Sequence, residues 1–292
     1  MPILLLLVIG IAIFSLTIKH TNESGDVVTG LDGMKVYVVP SLEGVGLKEF
    51  FFVVTDALGQ LFFSLSIAMG IMIAYGSYVP DDANLVKSIN QIEIFDTAVA
   101  FLAGVMIIPP VYVFSGTEGM AQGPSLMFVA LPKVFAAMGN VGNAVGTLFF
   151  AMVLFAAITS GMSVLEAVVS SLIDKFRMER RRATIIETVA ALIIGVIVCL
   201  GYNLLYFEVT LPTGNIAQIL DILDYISNSV LMPLVAIATC ILVGWVLKPK
   251  MVIDEATKNG EKFGRKGLFI AMIKFIAPVL LVILFLISVG VI

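Results

Sequence analysis

Seven long apolar segments, joined by polar loops, limit what this chain can fold into more than any other feature. They cover residues 2–18, 50–78, 92–114, 142–173, 184–207, 216–247 and 267–291. Each is long enough to cross a bilayer as an α-helix, which takes about 17–25 residues. Because lipid offers no hydrogen bonds to the backbone, each segment must satisfy its own peptide groups. The sequence therefore predicts an all-α membrane protein, a polytopic bundle of about seven transmembrane helices.

Composition supports this class and argues against several other functions. Apolar residues make up 60% of the 292 residues and charged residues only 13%, whereas soluble domains carry about 25% charge. Both cysteines lie inside apolar segments, so a disulfide or a zinc site has no support. We find no nucleophile elbow, phosphate-binding loop or HExxH motif, and the basic residues cluster only in loops. We therefore expect neither an enzyme nor a nucleic-acid-binding protein, and we interpret residues 1–292 as a single transmembrane domain.

The placement of lysine and arginine predicts the orientation in the membrane. Twelve basic residues lie in alternate loops, and only four lie in the loops between them. The twelve are Lys87, Lys175, Arg177, Arg180, Arg181, Arg182, Lys248, Lys250, Lys258, Lys262, Arg265 and Lys266. Cytoplasmic loops carry the excess of lysine and arginine in membrane proteins. We expect a multi-pass plasma-membrane protein whose N-terminus is cytoplasmic and whose C-terminus is outside.

The apolar segment 50–78 is interrupted by polar residues and glycines. From Gly59 to Gly70 it reads G-Q-L-F-F-S-L-S-I-A-M-G. Irregular backbone at membrane depth survives only beside a cavity or buried in protein, and secondary transporters bind ions and substrates at such breaks. A single serine would more simply bond back to its own turn or to a neighbouring helix. Two serines, an amide and two glycines within twelve residues favour a broken helix instead.

A second polar patch lies in the middle of the segment 142–173. It runs from Ala156 to Ser163 and reads A-A-I-T-S-G-M-S. Thr159 and Ser163 are four residues apart and therefore share one face of a helix. Hydroxyl oxygens can bind a hard cation, but small residues and hydroxyls also mediate helix packing in lipid. From these residues alone, packing is the favoured interpretation.

Five carboxylates lie inside apolar segments, namely Asp56, Asp96, Glu166, Asp221 and Asp224. A carboxylate inside a membrane costs at least about 2.5–3.5 kcal/mol, so each needs a partner or a wet cavity. Asp96 lies near the start of its segment, where an N-cap would look similar. Asp221 and Asp224 can be solvated at the outer end of theirs, and Glu166 can pair with a cytoplasmic arginine.

Several motifs, in this order, resemble those of the neurotransmitter:sodium symporter family, and in particular its bacterial amino-acid transporters. They are G-Q-L-F-F-S-L-S-I-A-M-G followed by Y-G-S-Y, D-T-A-V-A-F-L-A-G-V-M-I-I-P, G-P-S-L-M-F-V-A-L-P-K-V-F, A-A-I-T-S-G-M-S-V-L-E, and L-D-Y-I-S-N-S-V-L-M-P followed by G-W. The family has eleven or twelve spans, and this chain resembles the fifth to the eleventh. The resemblance implies a partial inverted-repeat transporter fold with a broken helix, a fragment that lacks the first four transmembrane helices.

The resemblance also implies two sodium sites and no other cofactor. The positions that match sodium ligands are Ser64 and Asp96 in one site, and Ala156, Thr159 and Ser160 in the other. In the second site the resemblance implies the backbone oxygen of Ala156 and the side-chain hydroxyls of Thr159 and Ser160 as ligands.

The residues around Asp96 imply transport without chloride. Many family members have Asn at the position of Asp96, so this chain adds a carboxylate there. Ala100 replaces a hydroxyl that chloride-dependent relatives use.

The positions that match the substrate pocket of the family are Phe63, Ser66, Ala68, Met69, Gly161 and Val164. The resemblance makes Phe63 the aromatic lid over the substrate. It makes Asp224 the carboxylate of the outer gate, whose arginine partner lies on the missing first helix. Met69 and Val164 suggest an apolar side-chain pocket, but they do not distinguish leucine-like from aromatic amino acids.

These observations lead to a hypothesis and an alternative. The hypothesis is a sodium-coupled symporter of amino acids or related small zwitterions that works by alternating access. Its partners would be Na⁺, a small amino acid, the bilayer, and the missing N-terminal helices or a chain that supplies them. The alternative is a truncated, transport-incompetent membrane protein that acts at most as a partner-binding module.

Overall fold

The structure, a computed structural model, describes residues 2–21, 26–41, 46–117, 127–128, 131–212 and 216–291. Most of these residues are helical. The helices are α1 (Pro2–Leu16), α2 (Gly30–Val38), α3 (Leu47–Ser64), α4 (Ile71–Gly76), α5 (Leu85–Ser115), α6 (Leu131–Ala137), α7 (Gly139–Phe176), α8 (Arg180–Gly201), α9 (Ile219–Val246), α10 (Pro249–Ala256) and α11 (Lys266–Ser288). The prediction of a helical membrane bundle is confirmed.

Two small antiparallel hairpins lie in the loops between helices. β1 (Lys19–Thr21) pairs with β2 (Val27–Thr29), and β3 (Val209–Thr210) pairs with β4 (Ile216–Ala217). These strands are two or three residues long, so they shape loops and build no sheet core.

Five helices of the described residues are long and apolar enough to cross a membrane, namely α5, α7, α8, α9 and α11. They correspond to the last five of the predicted segments. The first predicted segment forms α1, which has 15 residues and is about 22 Å long at 1.5 Å per residue. The second is divided between α3 and α4, because the helix is interrupted after Ser64.

Turns of π-helix interrupt two of the spanning helices. They lie at Tyr225–Leu231 and Leu242–Val246 in α9 and at Met272–Ile276 in α11. Such turns are rare in helices and occur frequently at functional sites.

The first of two compact units contains residues 1–44 and 92–160. Its apolar core is built from α1, α5, α6 and the first half of α7, and it includes Ile11, Val111, Leu131 and Phe149. Ser15 is its one buried polar side chain among the described residues, and its hydroxyl donates to the Val105 carbonyl at 2.6 Å. A buried hydroxyl needs such a partner, so this bond fixes α1 to α5.

The second unit contains residues 45–91 and 161–292. Here α9 packs against α11 through Ala236, Cys240 and Leu281. A second cluster joins α4 to α7 through Ile71, Ala74 and Ala167. A single domain over residues 1–292 stays a prediction.

We expect Gly33→Ala to destabilise the first unit. A Cβ at Gly33 would lie 2.6 Å from the Pro109 Cα and 3.1 Å from its carbonyl oxygen, so the backbone of α5 would have to shift. Overpacking of this kind costs about 1–3 kcal/mol. The thermal unfolding midpoint of the purified protein in detergent measures the effect.

Gly10→Ala in α1 is the matched control, because a Cβ at Gly10 meets no described atom within 4 Å. Alanine is the better helix former by about 0.5–1 kcal/mol, so this variant should hold or raise the midpoint. Equal midpoints for the two variants would contradict the close contact between α2 and α5.

Candidate functional site

The helix that begins at Leu47 is broken at residues 65–70. α3 ends at Ser64 and α4 begins at Ile71. Between them the backbone turns through left-handed conformations, with φ of 53° at Ser66, 64° at Ala68 and 81° at Gly70. Left-handed residues other than glycine are uncommon and cluster at functional sites. The predicted broken helix is confirmed.

The break leaves several peptide groups out of helical hydrogen bonding. The amides of Leu65 and Ile67 donate to the carbonyls of Leu61 and Phe62, at 3.0 and 2.9 Å. The amides that make no backbone hydrogen bond with a described residue are those of Ser66, Ala68, Met69 and Gly70. Such groups are costly in lipid unless a ligand, an ion, water or protein satisfies them.

The break is shorter than the sequence predicted, because Gly59 and Gln60 lie inside α3. A Cβ at Gly59 would meet no described atom within 4 Å, so this glycine does not make room for a close neighbour. Polar residues and glycine placed the break in the correct span, but the left-handed backbone begins only after Ser64.

The break packs against apolar side chains of the second unit. Ala68 contacts the cluster of α9 and α11 that contains Cys240 and Leu281. Met69 contacts the cluster of α4 and α7 that contains Ala167. Two residues assigned to the substrate pocket therefore pack against four helices, namely α4, α7, α9 and α11.

The other residues assigned to the pocket lie at the break or on α7. Ser66 is half-buried, and the side chain of Phe63 lies outside the described part of the structure. Gly161 and Val164 are exposed on α7, and Val164 precedes the buried Ala167 by one helical turn. Because Met69 packs against Ala167, the structure brings Met69 close to the turn of α7 that carries Val164.

The residues assigned to the two sodium sites are divided between the two units. Ser64 is the exposed last residue of α3 in the second unit. Ala156, Thr159 and Ser160 are exposed on α7 in the first unit. The Thr159 hydroxyl donates to the Ala156 carbonyl at 2.9 Å. Two oxygens this close can both lie about 2.4 Å from one hard cation, although a membrane-helix threonine bonds back to its own turn for packing as well.

Asp96, the second residue assigned to the Ser64 site, is inside α5 and half-buried. The N-terminus of α5 is capped by Asn84, whose side-chain oxygen accepts from the Lys87 amide at 2.8 Å. Asp96 lies roughly three turns further along the helix. The interpretation of Asp96 as an N-cap is therefore wrong.

A carboxylate network joins the second half of the broken span to α7 and α8. The Tyr78 hydroxyl donates to Glu166 Oε1 at 2.6 Å, and Arg180 Nη2 donates to Glu166 Oε2 at 2.5 Å. One turn away, the hydroxyls of Tyr75 and Ser163 are in contact. The predicted pairing of Glu166 with an arginine is confirmed, and that arginine is Arg180.

Sequence reasoning missed the two tyrosines of this network. Tyr75 and Tyr78 are three residues apart, as are their partners Ser163 and Glu166. Ser163 and Glu166 share one face of α7, whereas Tyr78 lies in the turn that follows α4. The motif Y-G-S-Y contained the signal, since two phenol groups one turn apart match two polar residues one turn apart on α7.

A further contact holds the loop that follows α4. Lys258 Nζ lies 3.2 Å from Asp81 Oδ1, and the Asn259 side-chain amide donates to the Asp81 carbonyl at 2.8 Å. The hydrogen bond and charge of Asp81 hold the pKa of Lys258 above its ordinary value. The segment after the break is thus tied to the end of α10 as well as to α7.

Two carboxylates lie near the start of α9. Asp224 accepts from the Asn228 side-chain amide at 2.5 Å and is about 18 Å along α9 from Ala236. The assignment of Asp224 to an outer gate stays a prediction. Asp221 accepts from the Gln218 amide at 2.9 Å in a capping box, so it stabilises the helix start and is not simply solvated.

The described residues contain no group of three His, Cys, Asp or Glu side chains that could hold a metal ion. The residues assigned to the sodium sites offer backbone carbonyl, hydroxyl and carboxylate oxygens. Such all-oxygen ligand sets suit hard cations and not zinc or copper.

Comparisons with known proteins agree with this geometry. The family model described as sodium:neurotransmitter symporter family matches residues 27–292. A sodium-dependent transporter of Haemophilus influenzae is 30% identical over 98% of this chain and 58% of its own length. The sodium-dependent transporter YhdH of Bacillus subtilis is 30% identical over 100% of this chain and 60% of its own length.

A similar solved structure is the crystal structure of MhsT in complex with L-phenylalanine. It is 33% identical to this chain, with a TM-score of 0.80, and the match covers 99% of this chain and 61% of that one. The chain thus spans about three fifths of the length of these relatives.

A double-mutant cycle tests the network at Glu166. We expect Tyr78→Phe and Glu166→Gln to be non-additive in unfolding free energy, with a coupling of about 0.5–3 kcal/mol, because the two side chains share one charged hydrogen bond. Thermal and denaturant unfolding of the purified variants provide the values. Tyr78→Phe combined with Glu187→Gln, a carboxylate that has no hydrogen bond to Tyr78, should be additive. A cycle without coupling at Glu166 would contradict the network.

Proposed function

Because the chain belongs to the sodium:neurotransmitter symporter family, we propose that the protein is a sodium-coupled symporter of amino acids or related small zwitterions. The observation that carries this proposal is the break at residues 65–70, which turns peptide groups of a membrane span away from helical bonding. Secondary transporters bind ions and substrates at such breaks. Since the chain spans about three fifths of its relatives' length, transport is proposed for the protein as the cell makes it.

Five residues are proposed as sodium ligands. The positions are Ser64 and Asp96 for one ion and Ala156, Thr159 and Ser160 for the second. Hydroxyl, carbonyl and carboxylate oxygens are the donors that hard cations prefer. A sodium ion near Asp96 would also neutralise the charge of that carboxylate and so reduce the free-energy cost of placing it inside the bilayer. The close approach of the Thr159 hydroxyl to the Ala156 carbonyl supports the second site.

The substrate is proposed to lie between the break and α7. The proposed contact residues are Phe63, Ser66, Ala68, Met69, Gly161 and Val164. The amides at the break that make no backbone hydrogen bond with a described residue suit a carboxylate, and the side chains of Met69 and Val164 suit an apolar amino-acid side chain. The structure of MhsT holds L-phenylalanine, so that amino acid is the first substrate to test. Phe63 is proposed as the lid, and Asp224 as part of an outer gate.

Coupling is proposed to work through the break. Sodium binds first, orders the residues around Ser64, and thereby raises the affinity for the amino acid; by linkage, the amino acid raises the affinity for sodium equally. In the orientation predicted from the basic residues, Glu166 and Arg180 lie on the cytoplasmic side, with the N-terminus of the chain. The bonds of Tyr78 to Glu166 and of Asp81 to Lys258 would then close the inner side, and they must open for release into the cell.

No covalent chemistry is part of this function. The family and the similar proteins are transporters and not enzymes. The protein is a membrane protein with several apolar helices, and the plasma membrane with a cytoplasmic N-terminus and an outer C-terminus is the proposed location.

Removing two proposed sodium ligands should weaken sodium dependence. In proteoliposomes with an inward sodium gradient, Thr159→Ala with Ser160→Ala should raise the sodium concentration for half-maximal uptake of L-phenylalanine at least about tenfold, since each lost oxygen ligand costs about 1 kcal/mol or more. Thr147→Ala is the matched control. Thr147 is on the same helix and bonds back to the Asn143 carbonyl at 2.8 Å, but it is not a proposed ligand. Unchanged sodium dependence in the double variant would refute the second sodium site.

Chloride should have no effect on uptake by the unmodified protein. The Asp96 carboxylate already supplies a negative charge beside the proposed sodium ion, so an anion is not needed there. Replacing external chloride with gluconate should leave the uptake rate unchanged. Asp96→Asn with Ala100→Ser removes that charge and adds a hydroxyl, and should make uptake chloride-stimulated. A strong chloride requirement of the unmodified protein would contradict the role of Asp96.

A further inference from the structure

A cavity of about 430 Å³ lies where the end of α9, the start of α10 and the first half of α11 meet. Three lysines line it, namely Lys248, Lys250 and Lys274. Trp245 lines it as well, and Pro249, Ile253 and Ile270 form the apolar part of its wall. We call this the lysine cavity. Its size falls in the range of small-molecule sites, about 300–1,000 Å³, and nothing in the proposed transport cycle uses it.

The three lysines of the lysine cavity have no acidic partner among the residues that the structure describes. They form no ion pair within those ranges, whereas Lys35, Arg180, Arg182 and Lys258 each do. On α10, Oε1 of Glu255 lies 3.9 Å from Lys258 Nζ, so the ion pair of this carboxylate is with Lys258. Three ammonium groups around one cavity raise the local positive potential, and such a site attracts an anion.

Tryptophan beside lysine, as in this cavity, is typical of the edge of the apolar region of a membrane protein. Trp245 lies in the last turn of α9, and its ring meets the edge of the Phe275 ring at a centroid distance of 5.9 Å. Lys274 Nζ lies 5.8 Å from the centre of the Trp245 ring. Tryptophan is enriched at the level of lipid headgroups, and lysines near helix ends extend their ammonium groups to the same level.

We propose that the lysine cavity binds the phosphate group of an anionic phospholipid in the cytoplasmic leaflet. Lys248, Lys250 and Lys274 would bind the phosphate, and Trp245 with Ile270 would contact the upper part of the acyl chains. Basic pockets between transmembrane helices on the cytoplasmic side recognise such headgroups. The simpler alternative is that these lysines serve only the charge asymmetry that orients the chain, in which case no lipid is preferred.

Trp245 allows a direct test, because it is the only tryptophan of the chain. The purified protein is reconstituted in phosphatidylcholine vesicles that contain increasing fractions of acyl-brominated phosphatidylglycerol or acyl-brominated phosphatidylcholine, and a Trp245→Phe variant gives the background. We expect brominated phosphatidylglycerol to reach half-maximal quenching of Trp245 fluorescence at a membrane fraction at least tenfold lower than brominated phosphatidylcholine does. Equal quenching by the two lipids would overturn the proposal.

Variants separate the lysine cavity from the general charge of that membrane face. Lys248→Gln, Lys250→Gln and Lys274→Gln together should abolish the preference. Lys87→Gln, Lys175→Gln and Lys262→Gln remove the same charge from the same predicted side and should retain it. If both triple variants lose the preference equally, the charge of the face is responsible and the proposal is wrong.

Lys248→Gly is a single-lysine variant that we expect to fold even if the triple variant does not. Lys248 has a left-handed φ of 66°, which glycine adopts without strain, so this variant should fold at least as well while it lacks one ammonium group. We expect about a fivefold loss of lipid preference from one lysine. An unchanged preference in a folded Lys248→Gly variant counts against the site.

Inorganic phosphate added to phosphatidylcholine vesicles tests the other source of the same anion. If it shifts Trp245 emission while the brominated anionic lipid shows no preference, the cavity is a site for free phosphate and not for lipid.

Discussion

Inside a bilayer the backbone of this protein must satisfy its own hydrogen bonds, because lipid offers none. The long helices meet that need by themselves, and residues 65–70 do not. There, three left-handed residues leave amides of the span outside the helical pattern. A protein tolerates such a segment only where it is buried or faces a wet cavity, which is the basis for proposing the break as the binding site.

The surroundings of the break show how an irregular segment is held in a defined position. Apolar contacts fix it on two sides, through Ala68 to α9 and α11 and through Met69 to α7. Polar contacts fix the part of the chain after the break, through Tyr78 to Glu166 and through Asp81 to Lys258. Release of α4 requires the hydrogen bond from Tyr78 to Glu166 to break, and a hydrogen bond to a charged carboxylate is stronger than one between neutral groups. The polar contacts are therefore the natural points of control for opening.

Much of this architecture follows from the sequence, because apolar length and the excess of lysine and arginine in alternate loops report on the bilayer directly. The span that contains the break was also predictable, since serines and glycines stand out among apolar residues. The first and last residues of the break were not predictable from the sequence. Gly59 can lie inside a helix, and the left-handed conformations of Ser66 and Ala68 depend on tertiary contacts. The same holds for Asp96, which resembles an N-cap until Asn84 is seen to begin the helix. The sodium and substrate residues rest on family resemblance, since their oxygens come from separate parts of the chain.

Hydrogen–deuterium exchange of the purified protein tests most directly whether the break is where sodium and substrate act. Exchange of the peptide that contains residues 65–70 is compared in sodium and in potassium at equal ionic strength, without and with L-phenylalanine, and α5 serves as the internal reference. The account predicts that sodium slows exchange at Ser66, Ala68, Met69 and Gly70, that L-phenylalanine slows it further only with sodium, and that potassium has no effect. Equal exchange of this peptide in the two salts would contradict the account.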